Sequence, residues 1–184
     1  MSRDKQVDSG DGVDLDGMRG TGDYVDGLKH GHWVYFFDVF EDNRKAHEGE
    51  YIRGKRHGLW KSWYAYGPKS GECYFKDGEM NGWSVAWHPN GAKASEGEML
   101  DGRQHGVWVS WSDTGELAAV SVHNRGKPDG EWIYWHEGPE GRQGDVRIIL
   151  EYRADQMVRA ALCRDREIVE LSPDEVGEEW WERF

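Results

Sequence analysis

The chain has 184 residues, enough for one domain or a short repeat array with a buried core. Its 23 basic and 35 acidic residues leave a net charge of −12, which disfavours nucleic acid as a partner and suits steering toward a basic one. Cys73 and Cys163 alone make no disulfide framework and no metal-spaced set, and no apolar run suits a signal peptide or a membrane span. The expectation is a soluble, cytoplasmic protein.

Residues 1–20 hold five Asp, four Gly and little apolar content, so they read as a flexible leader. Asp14-Leu15-Asp16-Gly17 does not make a calcium loop. In EF-hand spacing Gly12 would take the first ligand position and Asp23 the twelfth.

From residue 21 the chain repeats. The stretch Gly102-Arg103-Gln104-His105-Gly106-Val107-Trp108-Val109-Ser110-Trp111 is one of five copies of G-x-x-x-G-x-(W/S)-x-x-(W/F), the others starting at Gly27, Gly54, Gly78 and Gly126. Four of the five therefore follow one another at a spacing of 24 residues or begin such a run, and the first interval is 27. A fixed period of this length marks a repeat architecture.

Each copy predicts a β-hairpin. A short strand leads into the glycine turn, as in Gly22–Gly27, Gly49–Gly54 and Gly97–Gly102. The next strand follows the second glycine: His32–Phe37, Leu59–Tyr64, Trp83–His88, Val107–Ser112 and Glu131–His136. Aromatic and β-branched residues favour strand over helix at this length. Tyr66-Gly67-Pro68, Pro89-Asn90-Gly91, Asp113-Thr114-Gly115 and Gly138-Pro139-Glu140-Gly141 are turn chemistry. Return strands are expected at Glu72–Lys76, Ala92–Leu100, Glu116–His123 and Val146–Arg153.

Three and five residues past the second glycine lie Val34/Phe36, Lys61/Trp63, Val85/Trp87, Val109/Trp111 and Ile133/Trp135, apolar but for Lys61. With the two-residue strand period they share one face, which reads as the core ladder. On that reading Trp111→Ala costs about 3–5 kcal/mol. The opposite face carries Tyr35, Phe37, Tyr64, His88, Tyr134 and His136 and varies from copy to copy, so these six are the candidate protein-binding residues. Trp33, Trp60, Trp108 and Trp132 fall on that variable side of an ideal strand, and a twist or bulge that re-aims them is expected.

The pattern decays over residues 154–171, with Ala154 where glycine would stand and two last strands at Met157–Cys163 and Glu167–Leu171. Ser172-Pro173-Asp174-Glu175 has capping-box spacing, and Val176, Trp180 and Phe184 follow as one stripe of an amphipathic helix. Residues 172–184 are thus expected to cap the open edge of the array as an α-helix. The segment 165–184, with eight acids and two arginines, carries half of the net charge and reads as the solvated face of that cap.

No catalytic, metal or cofactor site is marked. His30, His57 and His105 precede the second glycine in three copies, but equivalent positions lie two strands apart, roughly 9–10 Å, whereas zinc holds its ligand atoms at about 2 Å. No G-x-S-x-G, P-loop or H-E-x-x-H sequence occurs.

At its five copies of G-x-x-x-G-x-W-x-x-W the sequence resembles MORN repeats, most of all the variant repeats of YwqK-family antitoxins, over residues 21–153. It departs in having histidine or an acid before the second glycine in several copies, and tryptophan where tyrosine is common. The resemblance implies an all-β fold, an elongated single antiparallel sheet of tandem β-hairpins, that binds proteins or, in other MORN proteins, membranes. The function expected from it is a non-enzymatic antitoxin or immunity-type protein that sequesters a polypeptide toxin, a basic one in view of the charge. A MORN-type scaffold for proteins or membranes is the alternative, with membrane association not favoured because the glycine turns carry only Lys29, Lys55, Arg56, Arg103 and Lys127. A carbohydrate- or cell-wall-binding module is a second alternative.

Overall fold

A computed structural model describes residues 7–13, 18–38, 43–137, 143–164 and 167–171, with the backbone alone described for 7–13, 136–137 and 143–146. These residues form strands β1 (Val7–Val13), β2 (Arg19–Val25), β3 (Leu28–Phe36), β4 (Lys45–Ile52), β5 (Lys55–Trp63), β6 (Lys69–Lys76), β7 (Glu79–Trp87) and β8 (Lys93–Leu100). There follow β9 (Arg103–Trp111), β10 (Leu117–Asn124), β11 (Lys127–Pro128), β12 (Gly130–Glu137), β13 (Gln143–Arg153), β14 (Gln156–Arg164) and β15 (Glu167–Leu171). They make one open antiparallel sheet whose strand order is the order of the chain, apart from the two-residue β11, which pairs only with β10. The chain divides into two compact units, one of β1–β7 with Met99–Gly102, the other of Lys93–Glu98 with β9–β15. Among the described residues no helix is long and apolar enough to cross a membrane. The capping helix expected at residues 172–184, and the Gly138–Gly141 turn, lie outside the described residues.

Val7–Val13, expected to lie in a flexible leader, forms β1 and pairs with β2 in the register Val7↔Val25. The leader's alternating small and acidic residues do not hinder an antiparallel ladder, whose bonds come from the backbone.

The strand after each turn starts earlier than the sequence suggests. Val25 pairs with Leu28 across Asp26-Gly27, and both turn residues have positive φ, 53° and 76°. Two successive left-handed residues are the signature of a type I′ hairpin turn, whose twist matches that of its strands. Arg53-Gly54, Asp77-Gly78, Asp101-Gly102 and Arg125-Gly126 repeat that pair of angles. The second glycine therefore lies inside the strand. Between the pairs Thr21↔Val34 and Asp23↔His30, β2 has one residue and β3 has three, so Gly31, at φ 69°, opens a bulge. Gly58 does the same opposite Gly49 in β4–β5.

Four successive turns are each tied to the one before by a backbone bond. The N–H of Gly54 donates to Lys29 O at 2.8 Å, that of Gly78 to Arg56 O at 2.9 Å, and that of Gly102 to Met80 O at 2.9 Å. In the second unit Gly126 N–H donates likewise to Gln104 O at 2.7 Å. Three of the opposite ends, after β5, β7 and β9, close as three-residue loops with a left-handed glycine. His88 N–H donates to Ala92 O and Gly91 N–H to His88 O, both at 2.8 Å, and Ser112 and Gly115 repeat the arrangement.

The core of the first unit is a run of rings on one face of the sheet: Trp33, Tyr35, Tyr51, Trp60 and Phe75, with Cys73 beside them. Trp33 and Tyr35 are fully buried. Neighbouring rings meet mostly edge to face, Tyr51 and Trp60 at 5.1 Å, Tyr24 and Trp33 at 5.1 Å, the geometry favoured by the aromatic quadrupole. Ile148, Leu150, Ala160 and Leu162 form the core of the second unit, with Trp132, Tyr134 and Tyr152 packed against them.

Candidate functional site

The buried face is the one the sequence marks as variable. Trp33 and Tyr35 stand two residues apart in β3 and lie on one side, in stacked contact at 5.9 Å. The expected core ladder of Val34, Phe36, Trp63, Val85 and Trp87 lies on the other side and is only half-buried. The tryptophans need no re-aiming by the bulge, because strand alternation past the glycine already places them with Tyr35. What decides the face is the area that a large ring can cover. A Cβ on Gly22 would stand 2.6 Å from the Trp33 ring, and one on Gly49 would stand 2.4 Å from the Trp60 ring, so each indole lies flat on a bare strand segment. Its N–H donates to a backbone carbonyl, Trp33 to Asp23 O at 3.1 Å and Trp60 to Glu50 O at 3.1 Å. In the second unit Trp108 covers Gly97 and donates to Glu98 O at 3.0 Å.

Of the six residues expected to form a binding face, five have described side chains, and their settings differ. Tyr35 is fully buried, its hydroxyl bonded to Tyr51 Oη at 3.0 Å and to Lys29 Nζ at 2.7 Å. It is thus a core residue and offers no surface. Phe37, Tyr64 and His88 follow the ends of β3, β5 and β7 and start the loops that close those hairpins, their N–H groups bonded to Arg44 O, Pro68 O and Ala92 O. Tyr64 stacks on Tyr66 at 5.5 Å and donates to Trp87 O at 2.8 Å. Tyr134 packs on the core of the second unit, where burial first and then Tyr152 push its phenol above the usual range. His136 pairs with Val146 in the β12–β13 ladder.

The half-exposed face of the first unit carries two ordered rows. One runs Phe36–Lys45 in β3–β4 and Trp63–Lys69 in β5–β6, and ends at Trp87, so that aromatic and cation alternate. Lys45 Nζ lies 5.0 Å from the centre of the Trp63 ring and Lys69 Nζ lies 5.0 Å from that of Trp87. The second row, Val34–Glu48–Lys61–Glu72–Val85, alternates charge along its middle. The rows are joined by Lys45–Glu48 at 2.6 Å and Lys69–Glu72 at 2.5 Å. Each tryptophan is thus partly roofed by a lysine stem whose charge is held by a carboxylate. In the second unit Lys93 lies 5.2 Å from the Trp111 ring centre and pairs with Glu96 at 2.9 Å. The sequence signal for this face is a K-x-x-E at the repeat period, Lys45/Glu48, Lys69/Glu72 and Lys93/Glu96.

Comparison with known proteins adds no constraint to this picture. No protein family and no curated protein matches the sequence.

No group of three or more His, Cys, Asp or Glu among the described residues could hold a metal ion, and both thiols are buried and free. Burial pushes the Cys73 thiol above its usual range, although the Ser84 side chain bonded to it pulls the other way. A thiol so held carries little thiolate, the form that reacts.

Proposed function

We propose that this chain is a non-enzymatic protein-binding repeat protein that captures a basic polypeptide in the manner of an antitoxin or immunity protein. The observation that carries protein binding is the half-exposed row of Phe36, Trp63 and Trp87 with its bracketing Lys–Glu pairs. Large aromatics beside fixed charges are what interface hot spots are built from. The identity of the partner class rests on two further supports, the resemblance of the repeats to those of YwqK-family antitoxins and the net charge of −12, which speeds encounter with a cation-rich protein.

The test joins capture to rescue. The tagged chain is used to recover partners from its own cells for mass spectrometry, and the recovered polypeptide is expressed with and without the chain. One basic polypeptide, toxic alone and harmless together, is the expected result. Recovery of several structural proteins or of lipid, with no rescue, would replace the antitoxin reading with the scaffold. For the face, Trp63→Ala with Trp87→Ala is expected to weaken partner binding at least tenfold, about 1.4 kcal/mol or more. Unchanged affinity in a variant with the parent's circular dichroism would move the contact elsewhere.

A further inference from the structure

The third repeat lacks the ring that the others lay on their sheet. In the first, second and fourth copies a glycine stands eleven residues before the tryptophan: Gly22 and Trp33, Gly49 and Trp60, Gly97 and Trp108. In the third copy both positions change together, to Cys73 and Ser84, and these two face each other across β6–β7. The next pair along the same strands is Gly71 and Ala86, where the first copy has Gly20 under the Tyr35 ring. No ring atom comes within 4 Å of the place a Cβ would take on Gly71.

The result is a pocket of about 230 Å³ in the first unit. Ser62, Gly71, Cys73, Ser84 and Ala86 form its small-residue floor, and Trp60, Phe75, Met80 and Arg56 are among its walls. The Arg56 guanidinium sits 4.6 Å from the Trp60 ring centre and 5.6 Å from that of Phe75. An apolar cavity of about 150 Å³ already takes a benzene ring, so a fused two-ring system fits here. The floor also keeps the acceptor that the filled copies use. Trp33, Trp60 and Trp108 donate to the carbonyl ten residues before them, and at the equivalent carbonyl, of Tyr74, the weak thiol donor of Cys73 stands at 3.4 Å in place of an indole N–H.

We propose that this pocket binds an indole ring from outside the chain, seated on Cys73, Ser84 and Gly71 against Trp60 and Phe75, with its N–H donated to the Tyr74 carbonyl. The ring takes the place that the chain's own tryptophan holds in the neighbouring repeats. Its stacking partners, the polarisable Met80 and the Arg56 cation, are those that favour a flat, electron-rich ring. This site lies on the opposite face from the row of Trp63 and Trp87 and stands independently of the antitoxin reading.

The experiment titrates the full chain with 5-fluoroindole, observed by fluorine NMR so that the protein's eleven tryptophans do not interfere. Saturable binding with a dissociation constant of about 1 mM or tighter is expected. The double variant Cys73→Gly, Ser84→Trp rebuilds the glycine–tryptophan pair of the first, second and fourth repeats, and Ala86→Tyr lays a ring on Gly71 as Tyr35 does on Gly20. Each fills the pocket by a different route, and each is expected to weaken binding at least tenfold. An absence of binding to the parent chain, or binding undiminished in a folded filled variant, would overturn the proposal. So would equal affinity for 1-methylindole, which has no N–H to donate. Comparison with N-acetyltryptophanamide separates the sources of the ring: tighter binding of the amide assigns a tryptophan of a polypeptide, and tighter binding of indole assigns a free metabolite of that class.

Discussion

Glycines of this chain are required for two different reasons, and the two are separable by substitution. At Gly31 the surroundings are open but φ is 69°, so alanine there strains the backbone. Gly49 has space as its only demand, for a Cβ would stand 2.4 Å from the Trp60 ring. Gly49→Ala is expected to cost about 1–3 kcal/mol by overpacking, and Gly49→Ala with Trp60→Ala should cost less than the two single changes added together, a coupling that urea denaturation of the cycle measures. Additive costs would mean that the indole does not rest on this glycine. Trp33→Ala, at a fully buried ring, is expected to cost about 3–5 kcal/mol. Trp111 is half-exposed, and Trp111→Ala should cost well under half as much, contrary to its expected place in a core ladder.

His123 is a buried polar side chain of the second unit, stacked on Trp132 at 4.8 Å with Nε2 bonded to Ser121 Oγ at 3.0 Å. Its Nδ1 has no hydrogen-bond partner among the described residues. Burial holds the imidazole below its usual range, so the fold favours the neutral ring. The unfolded chain then takes up the proton first as pH falls, and stability present above about pH 6.5 is lost on going below it. Melting temperatures between pH 8 and pH 5 should fall more steeply for the parent chain than for His123→Phe. Parallel profiles would clear His123 of any part in the pH dependence.

At the scale of the hairpin, the turn is what the repeats hold most nearly constant, and the last one is the poorest. Ala154 and Asp155 take φ of 49° and 61° between Arg153 and Gln156, angles that cost an L-residue roughly 1–2 kcal/mol each. Ala154→Asn with Asp155→Gly installs the preferred type I′ pair. It is expected to stabilise the second unit by about 1 kcal/mol, read as a raised melting temperature. A lowered one would show that the Asp155 contact with Lys127 matters more than the turn.

Much of the hairpin order was legible in the residues, because turn chemistry is local. Pro89-Asn90-Gly91 and Asp113-Thr114-Gly115 close hairpins as their composition demands, and β15 spans Glu167–Leu171 as the apolar pattern proposes. Strand starts were less legible, since a glycine with positive φ reads alike in a turn and in a bulge. The choice of face was misled by consistency. Apolar residues recur more regularly at Val34, Val85 and Val109 than at Tyr35, Ala86 and Ser110, yet regularity is not burial. The deciding mark was present in the covariation of Gly22, Gly49 and Gly97 with tryptophan, and of Cys73 with Ser84. It becomes readable only once the register shows those pairs to be neighbours.

At the scale of the whole molecule the net charge of −12 acts at a distance that no single contact does. Capture of a basic partner should be fast at low ionic strength and slow as salt shortens the reach of the field. Stopped-flow association rates are expected to fall at least tenfold between about 20 mM and 500 mM salt, with dissociation changing much less. A rate indifferent to salt would remove charge from the account of recognition.

Strand order carries a consequence for synthesis. Because each strand from β2 to β10 pairs with the one made just before it, and the turns at Gly54, Gly78, Gly102 and Gly126 bond to carbonyls already in place, nothing in this stretch has to wait on the ribosome for the far end of the chain. A nascent polypeptide of this kind can zip hairpin by hairpin as it emerges, with short loops to close and little time spent as a bare edge.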